Sequence, residues 1–249
     1  WQECKVLQLL YQILDSQGLK GENVMNNIDM NIEVADTQEN AVINNKTNNI
    51  IYNFLKRTID IVGSLCGLIL LSPLLIVIGL LIKFDSKGPI IFAQKRVGLK
   101  GKEFKMYKFR SMVVNAEELK DKLKEKNEMS GPMFKMKDDP RITRIGKFIR
   151  KTSIDELPQL VNVLKGDMSL VGPRPSLPKE VENFEPWMLK RLEVKPGLTC
   201  YWQVSGRNSI DFENWMKLDI RYVNERSLWL DIKLIFKTFF VLFGDENAV

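Results

Sequence analysis

Histidine is absent from all 249 residues, and its absence removes whole classes of chemistry. No Ser–His or Cys–His nucleophile pair can form, and no imidazole can hold zinc. Acid, base and nucleophile roles fall to carboxylates, lysine and tyrosine. Cysteine is scarce: Cys4, Cys66 and Cys200 lie far apart without C-x-x-C spacing. Neither a disulfide framework nor a thiolate metal site is indicated, which fits a cytoplasmic catalytic face. Also missing are an internal repeat, a Gly-rich phosphate loop and a D-x-D carboxylate pair. The chain opens on Trp1 rather than Met, and we expect it to be a piece of a longer protein.

Basic residues exceed acidic ones, 37 against 31, for a net charge of +6. That balance suits nucleic acid, anionic headgroups or phosphorylated substrates. A long apolar run favours lipid over nucleic acid. Ile61–Ile82 holds 22 residues without a charge, enough for a helix of about 33 Å, so a membrane-crossing helix is the default. Two features resist it. Ser72-Pro73 falls in the middle, where proline disrupts the hydrogen-bond ladder. Basic residues also flank both sides, with Lys56 and Arg57 before and Lys83, Lys87, Lys95 and Arg96 after, against the usual inside–outside asymmetry. A re-entrant helix–break–helix satisfies both facts, with Ser72 Oγ as a partner for the freed backbone.

Trp1–Leu14 has apolar residues at helical spacing, and the Asn-, Asp- and Glu-rich residues 22–50 read as a linker. We place a boundary near Asn49, with residues 1–49 as a helix and polar linker, a candidate tail of an upstream domain, and 50–249 as the catalytic domain. Ile90–Lys95 and Phe104–Phe109, separated by Gly98 and Gly101, predict a β-hairpin whose Lys and Arg face headgroups or substrate. Asn115–Glu128 predicts a solvated helix. Pro186–Glu193 reads as a helix and Leu198–Val204 as a strand. Leu228–Phe243 is aromatic-rich but carries Asp231, Lys233 and Lys237, which suits a helix in the membrane interface better than a second span. Core packing is the competing account.

The chemistry concentrates in Thr152–Pro175, TSIDELPQLVNVLKGDMSLVGPRP. Asp155 and Glu156 are adjacent, and Arg141, Arg144, Lys147, Arg150 and Lys151 precede them, a setting for phosphates and a divalent ion. Local grammar offers a plainer account. Ser153 and Glu156 match a capping box, although Pro158 favours Asp155 as the N-cap. Leu157, Leu160, Val161 and Leu164 would then form one apolar face, stopped by Gly166. On this evidence capping and catalysis stay equally open.

The run S-x-D-E-L-P-Q-L-x-N-V-L-x-G-D-M-S-L-V-G-P-R-P resembles the signature of the bacterial sugar transferases, the monotopic polyprenyl-phosphate phosphoglycosyl transferases. Three blocks agree in order: Lys56-Arg57-x-x-Asp60; Gly88-Pro89 through Phe92, Gln94, Arg96 and Gly98 to Lys108-Phe109-Arg110-Ser111-Met112; and Pro196-Gly197 through Trp202-Gln203-Val204-Ser205-Gly206-Arg207. Together they cover about 52–249, a far more specific match than a lone motif. The implied fold is α+β and predominantly helical: a monotopic membrane protein with a re-entrant helix–break–helix at Ser72 and Pro73, interfacial amphipathic helices and a small β-hairpin.

The resemblance implies transfer of a sugar 1-phosphate from a UDP-sugar to polyprenyl (undecaprenyl) phosphate, releasing UMP, with Mg²⁺ as cofactor. It implies a covalent aspartyl-phosphosugar intermediate at the inner membrane of a bacterium, on the cytoplasmic face. Asp155 is then the nucleophile and Glu156 a catalytic and metal-binding carboxylate. Arg141, Arg150, Arg174, Arg207 and Asp231 become substrate-binding candidates, and Lys56, Arg57 and Asp60 membrane-interface residues. Structural alternatives stand beside these roles: Arg174 as a surface cap on carbonyls, Asp231 paired with Lys233 or another base. In this family glycine usually stands where this chain has Cys200, which would be strained if the position needs positive φ. The alternative function is a non-catalytic, membrane-anchored binding module. Expected partners are UDP-sugar, polyprenyl phosphate and membrane lipid, with no nucleic acid.

Overall fold

The computed structural model describes residues 50–123, 136, 139–206 and 210–244. The chain divides into two units, Trp1–Asn48 and Asn49–Val249. The predicted Trp1–Leu14 helix, most of the linker after it, residues 124–128 of the polar helix and Arg207 lie outside the described residues.

Helix α1, Ile50–Asp85, runs for 36 residues and carries Pro73 inside it. The expected break is therefore not an interruption, because helical backbone continues through the proline. Its local cost is met as the sequence suggested. Pro73 has no N–H to give the carbonyl four residues back, and Ser72 Oγ donates to that carbonyl, Ile69 O, at 2.8 Å. Both ends of α1 pack on the rest of the unit. Near its start, Asp60 Oδ1 accepts from Ser169 Oγ and Leu170 N, both at 2.9 Å. Arg57 donates to the carbonyls of Val163 and Leu164 at 2.6 and 2.7 Å. Near its end, Ile78 and Ile82 pack with Phe109 and Ile149, and Arg110 caps the terminus through Ser86 O at 2.7 Å. Between these anchors Ile69, Leu70, Leu74, Ile76 and Val77 are exposed.

Strands β1 (Ile91–Val97) and β2 (Glu103–Phe109) form the expected antiparallel hairpin, in register from Ile91 opposite Phe109 to Val97 opposite Glu103. Gly101, at φ 77°, serves its turn. Helix α2 covers Ala116–Lys122. Helix α3, Arg144–Lys151, is capped by Thr143, whose Oγ1 accepts from Gly146 N at 2.9 Å. A 3₁₀ turn at Ile154–Glu156 follows, then helix α4, Gln159–Lys165, ended by Gly166 at φ 90°.

Strands β3 (Ser169–Val171) and β4 (Gly197–Thr199) form a small parallel pair that sequence patterning did not anticipate. Its close backbone approach depends on two glycines. A Cβ on Gly172 would sit 2.3 Å from Lys195 O, and one on Gly197 would sit 2.2 Å from Gly172 N. Helix α5 (Pro178–Val181) and a 3₁₀ helix (Pro186–Glu193) lie between these strands in sequence. The predicted strand Leu198–Val204 is corrected: only its start is extended, and helix α6, Tyr201–Val204, takes the rest. Cys200 is fully buried with φ −161°, ordinary extended backbone, so it carries no strain of the kind feared. It packs with Val171, Val204, Tyr222 and Leu234.

Helices α7 (Phe212–Glu225) and α8 (Leu228–Gly244) close the unit. Leu234 and Asp231 turn inward from α8, whereas Trp229, Phe236, Phe239 and Phe240 are exposed. These four aromatics are thus not packed into the core as the competing account required.

Candidate active site

Neither capping account survives. Ser153 has left-handed backbone, φ 55°, and no side-chain cap bond to the turn, while α4 begins only at Gln159, with Pro158 at its N-cap position. Glu156 instead reaches two cations. Its Oε1 accepts from Lys108 Nζ at 2.7 Å and from Arg174 Nη1 at 2.9 Å. Asp155, beside it on the turn, is 9 % exposed. The left-handed residue just before the turn is a sparsely populated conformation for serine, of the kind found at functional sites.

The environments of the two carboxylates push them apart. Burial would raise Glu156, but the charges and hydrogen bonds of Arg174 and Lys108 outweigh it and hold the carboxyl well below the usual range. Asp155 moves the other way. Burial pushes its carboxyl up, Lys108 opposes the rise, and neighbouring Glu156 adds to it. A divergent pair of titratable groups on one turn is a mark of acid, base or nucleophile chemistry. Lys108 itself is lowered by burial, with Glu156 resisting.

Arg174 projects from the Gly172–Pro175 loop. Besides Glu156, its guanidinium lies 5.8 Å from the Trp202 ring centroid. It is no surface cap. Arg96 on β1 supports the same loop, donating to Pro175 O at 3.1 Å and to Gln94 Oε1 at 2.8 Å. Arg150, exposed in the last turn of α3, adds positive field at Asp155 without a contact to it among the bonds described.

Other candidates lie elsewhere. Arg141 is buried and gripped by Asp139, with Nη2 to Oδ2 at 2.6 Å and Nε to Oδ1 at 2.9 Å. This pairing anchors the approach to α3, so Arg141 fits a structural role better than a phosphate-binding one. Asp231 accepts from Lys56 at 2.7 Å and from the Tyr222 hydroxyl at 2.7 Å. Its partner is thus Lys56, not Lys233, and it shares neither of these partners with Asp155 or Glu156. Lys56, Arg57 and Asp60 each bond other elements of the Asn49–Val249 unit directly, so their placement on α1 serves docking of that helix as well as any lipid contact.

The sequence reading turns the hairpin's Lys and Arg toward headgroups or substrate and assigns Lys108 no carboxylate partner. The signal was present in strand alternation: Phe104, Met106 and Lys108 share one face, and Met106 is in the core. A lysine on the inward face of a strand requires an anionic partner. Arg96 and Trp202 stand in the matching blocks without a site role of their own, and no local pattern marks Arg191.

Comparison with known proteins identifies the family. The family described as Bacterial sugar transferase matches residues 51–245, and the chain belongs to that family. It is 54 % identical over 194 residues to the galactosyl transferase CpsE of Streptococcus agalactiae serotype III, covering 78 % of this chain and 43 % of that protein. It is 49 % identical over 199 residues to the undecaprenyl-phosphate galactose phosphotransferase of Salmonella typhimurium, covering 78 % and 42 %. The exopolysaccharide production protein ExoY of Rhizobium meliloti is 38 % identical over 187 residues, 74 % of this chain and 83 % of ExoY. The matched region thus spans less than half the length of the first two relatives and most of the third.

Proposed function

We propose that this chain transfers a sugar 1-phosphate from a UDP-sugar to polyprenyl phosphate, with Asp155 as nucleophile. The observation that carries the reading is the buried Asp155 beside Glu156, whose carboxylate is held ionised by Lys108 and Arg174. The relatives' printed names, which include an undecaprenyl-phosphate galactose phosphotransferase, support the acceptor class.

In the first half-reaction an Asp155 Oδ attacks the sugar-bearing phosphorus of the UDP-sugar. The bond from that phosphorus to the bridging oxygen breaks, and UMP leaves with the electron pair. In the second, an oxygen of polyprenyl phosphate attacks the same phosphorus, the bond to Asp155 breaks, and polyprenyl diphosphate-sugar is released. Arg174 and Lys108 offset charge on the phosphoryl oxygens, and burial strips water from the nucleophile.

Among the described residues no cluster of three or more Cys, Asp or Glu side chains could hold an ion alone. Mg²⁺ needs no such cage, since it takes one or two carboxylates and completes its shell with phosphate and water. The adjacent pair fits that requirement, with Glu156 as the principal ligand and Asp155 beside it. When bound, the ion supplies Lewis-acid charge neutralisation at the phosphates.

The test is UMP release from purified protein in lipid nanodiscs, given undecaprenyl phosphate and a panel of UDP-sugars. UMP with one sugar is the expected result. Release of UDP, or of no nucleotide, would overturn the reading, the latter in favour of a binding module. The pH profile supplies a second prediction. Asp155 must be ionised to attack, and burial raises its carboxyl, so activity should fall on the acid side at a pH above the ordinary carboxylate value of about 4. An acid limb at or below that value would contradict the burial argument.

We further propose that α1 enters and leaves the cytoplasmic leaflet of a bacterial inner membrane on one face. α1 is long and apolar enough to cross a bilayer, yet its two ends bond one catalytic unit. Cysteines introduced near Lys56 and near Lys87 should therefore label from the same side of sealed vesicles. Labelling from opposite sides would establish a spanning helix.

A further inference from the structure

Arg191 and Asp219 form a buried ion pair outside the carboxylate turn, 3 % and 0 % exposed, with Nη2 to Oδ2 at 2.6 Å. Such a pair is often no more stabilising than apolar residues of similar volume, so burial alone gives no reason for it. Its contacts suggest one. Arg191 Nη2 also donates to Arg174 O at 2.6 Å, and Nη1 donates to Ser176 Oγ. One guanidinium thereby spans the loop that bears Arg174.

The loop needs such a partner. Pro173 and Pro175 on either side of Arg174 have no N–H and fix their own φ, which limits how this stretch can satisfy its own carbonyls. Arg191 takes the carbonyl of residue 174 and Arg96 that of residue 175. An aromatic path runs parallel to the hydrogen bonds. The Arg191 guanidinium lies 5.4 Å from the Trp215 ring centroid, Trp215 lies 4.9 Å from Trp202, and Trp202 faces Arg174 at 5.8 Å. The root and the tip of Arg174 are thus both tied to Arg191.

We propose that Arg191, oriented by Asp219, is a positioning residue that aims Arg174 at the Asp155–Glu156 turn and at the donor's phosphates. This rests on the phosphoryl-transfer reading above. A lysine cannot replace the guanidinium, because a single ammonium lacks the planar fork that reaches Asp219, Arg174 O and Ser176 together.

The test is a double-mutant cycle on the full chain in nanodiscs, read both by UMP release and by calorimetric titration with UDP. Arg191→Lys should lower kcat by about 10- to 100-fold, the scale of a misplaced catalytic contact, and weaken UDP binding. In an Arg174→Ala background the same change should cost less than about two-fold in either readout, because the residue it acts through is gone. Losses that multiply, or wild-type kcat and UDP affinity in Arg191→Lys, would overturn the proposal. Should Arg191→Lys not fold, Ser176→Ala removes one acceptor of the fork and carries the same cycle with a smaller loss. A wild-type chain that binds UDP but releases no UMP would sink the activity, while the UDP cycle would still decide the positioning.

Discussion

Asp155→Asn is expected to abolish UMP release, lowering kcat by at least about 10⁴-fold, a loss within the range seen when a nucleophile is deleted. An amide nitrogen or oxygen cannot form the acyl phosphate, so no second half-reaction can follow. The fold should tolerate the change. Asn matches Asp in size, and the neutral side chain removes a carboxylate that burial already disfavours. The melting temperature should therefore hold or rise slightly, and activity and stability move independently. Radiolabelled UDP-sugar should also leave label on the wild-type protein and none on the variant when lipid acceptor is withheld. Near-wild-type UMP release from Asp155→Asn would end the covalent mechanism and reduce Asp155 to a bystander of Glu156.

What the sequence made legible was mostly local. The hairpin was announced by Gly98 and Gly101 between short β-like runs, the end of α4 by Gly166, and the compensation at Pro73 by the serine before it. Each depends on residues a few positions apart, where periodicity and backbone rules apply directly. The face of α4 shows where that local reading weakens. Val161 was placed on the apolar face but is exposed, whereas Asn162 is fully buried. Its side chain accepts from Tyr107 N at 2.9 Å and donates to Lys105 O at 2.7 Å, tying the helix to β2. Polarity alone could not reveal that an amide had backbone partners waiting across the fold.

The candidate site was split in the same way. Asp155 and Glu156 are neighbours in the chain, so the motif displayed them together. Their cations come from further away: Lys108 is 48 positions from Glu156, and Lys56 is 175 from Asp231. Which acid meets which base is decided by the path of the backbone, so the Asp139 partner of Arg141 and the Lys56 partner of Asp231 were not legible in the motif. The Cys200 question had the same origin. Its fitness depended on one dihedral angle, and the extended value observed removes the objection.

The second large effect is expected at Glu156, where metal binding and charge balance predict different things. Glu156→Gln preserves size but removes the anion that Lys108 and Arg174 share. Breaking a buried pair from one side costs about 3–5 kcal/mol when burial is complete. Here the three side chains are 17–26 % exposed, so a loss of about 2 kcal/mol is the expected scale. This cost would not arise if Glu156 merely capped a helix, since glutamine serves that position too. Activity should fall by about 10²-fold or more. If Glu156 also binds Mg²⁺, the residual activity should need a higher Mg²⁺ concentration, because one hard anionic ligand is lost. The companion variant Lys108→Gln separates the two roles. It should destabilise comparably while leaving the Mg²⁺ requirement unchanged or lower, since Glu156 is freed of one competing cation. A Glu156→Gln protein that loses stability and activity but titrates with Mg²⁺ like the wild type would make Glu156 purely the counter-charge of Lys108 and Arg174. The search for a metal ligand would then begin at Asp155, because Asp231 and Asp219 are already engaged by Lys56 and Arg191.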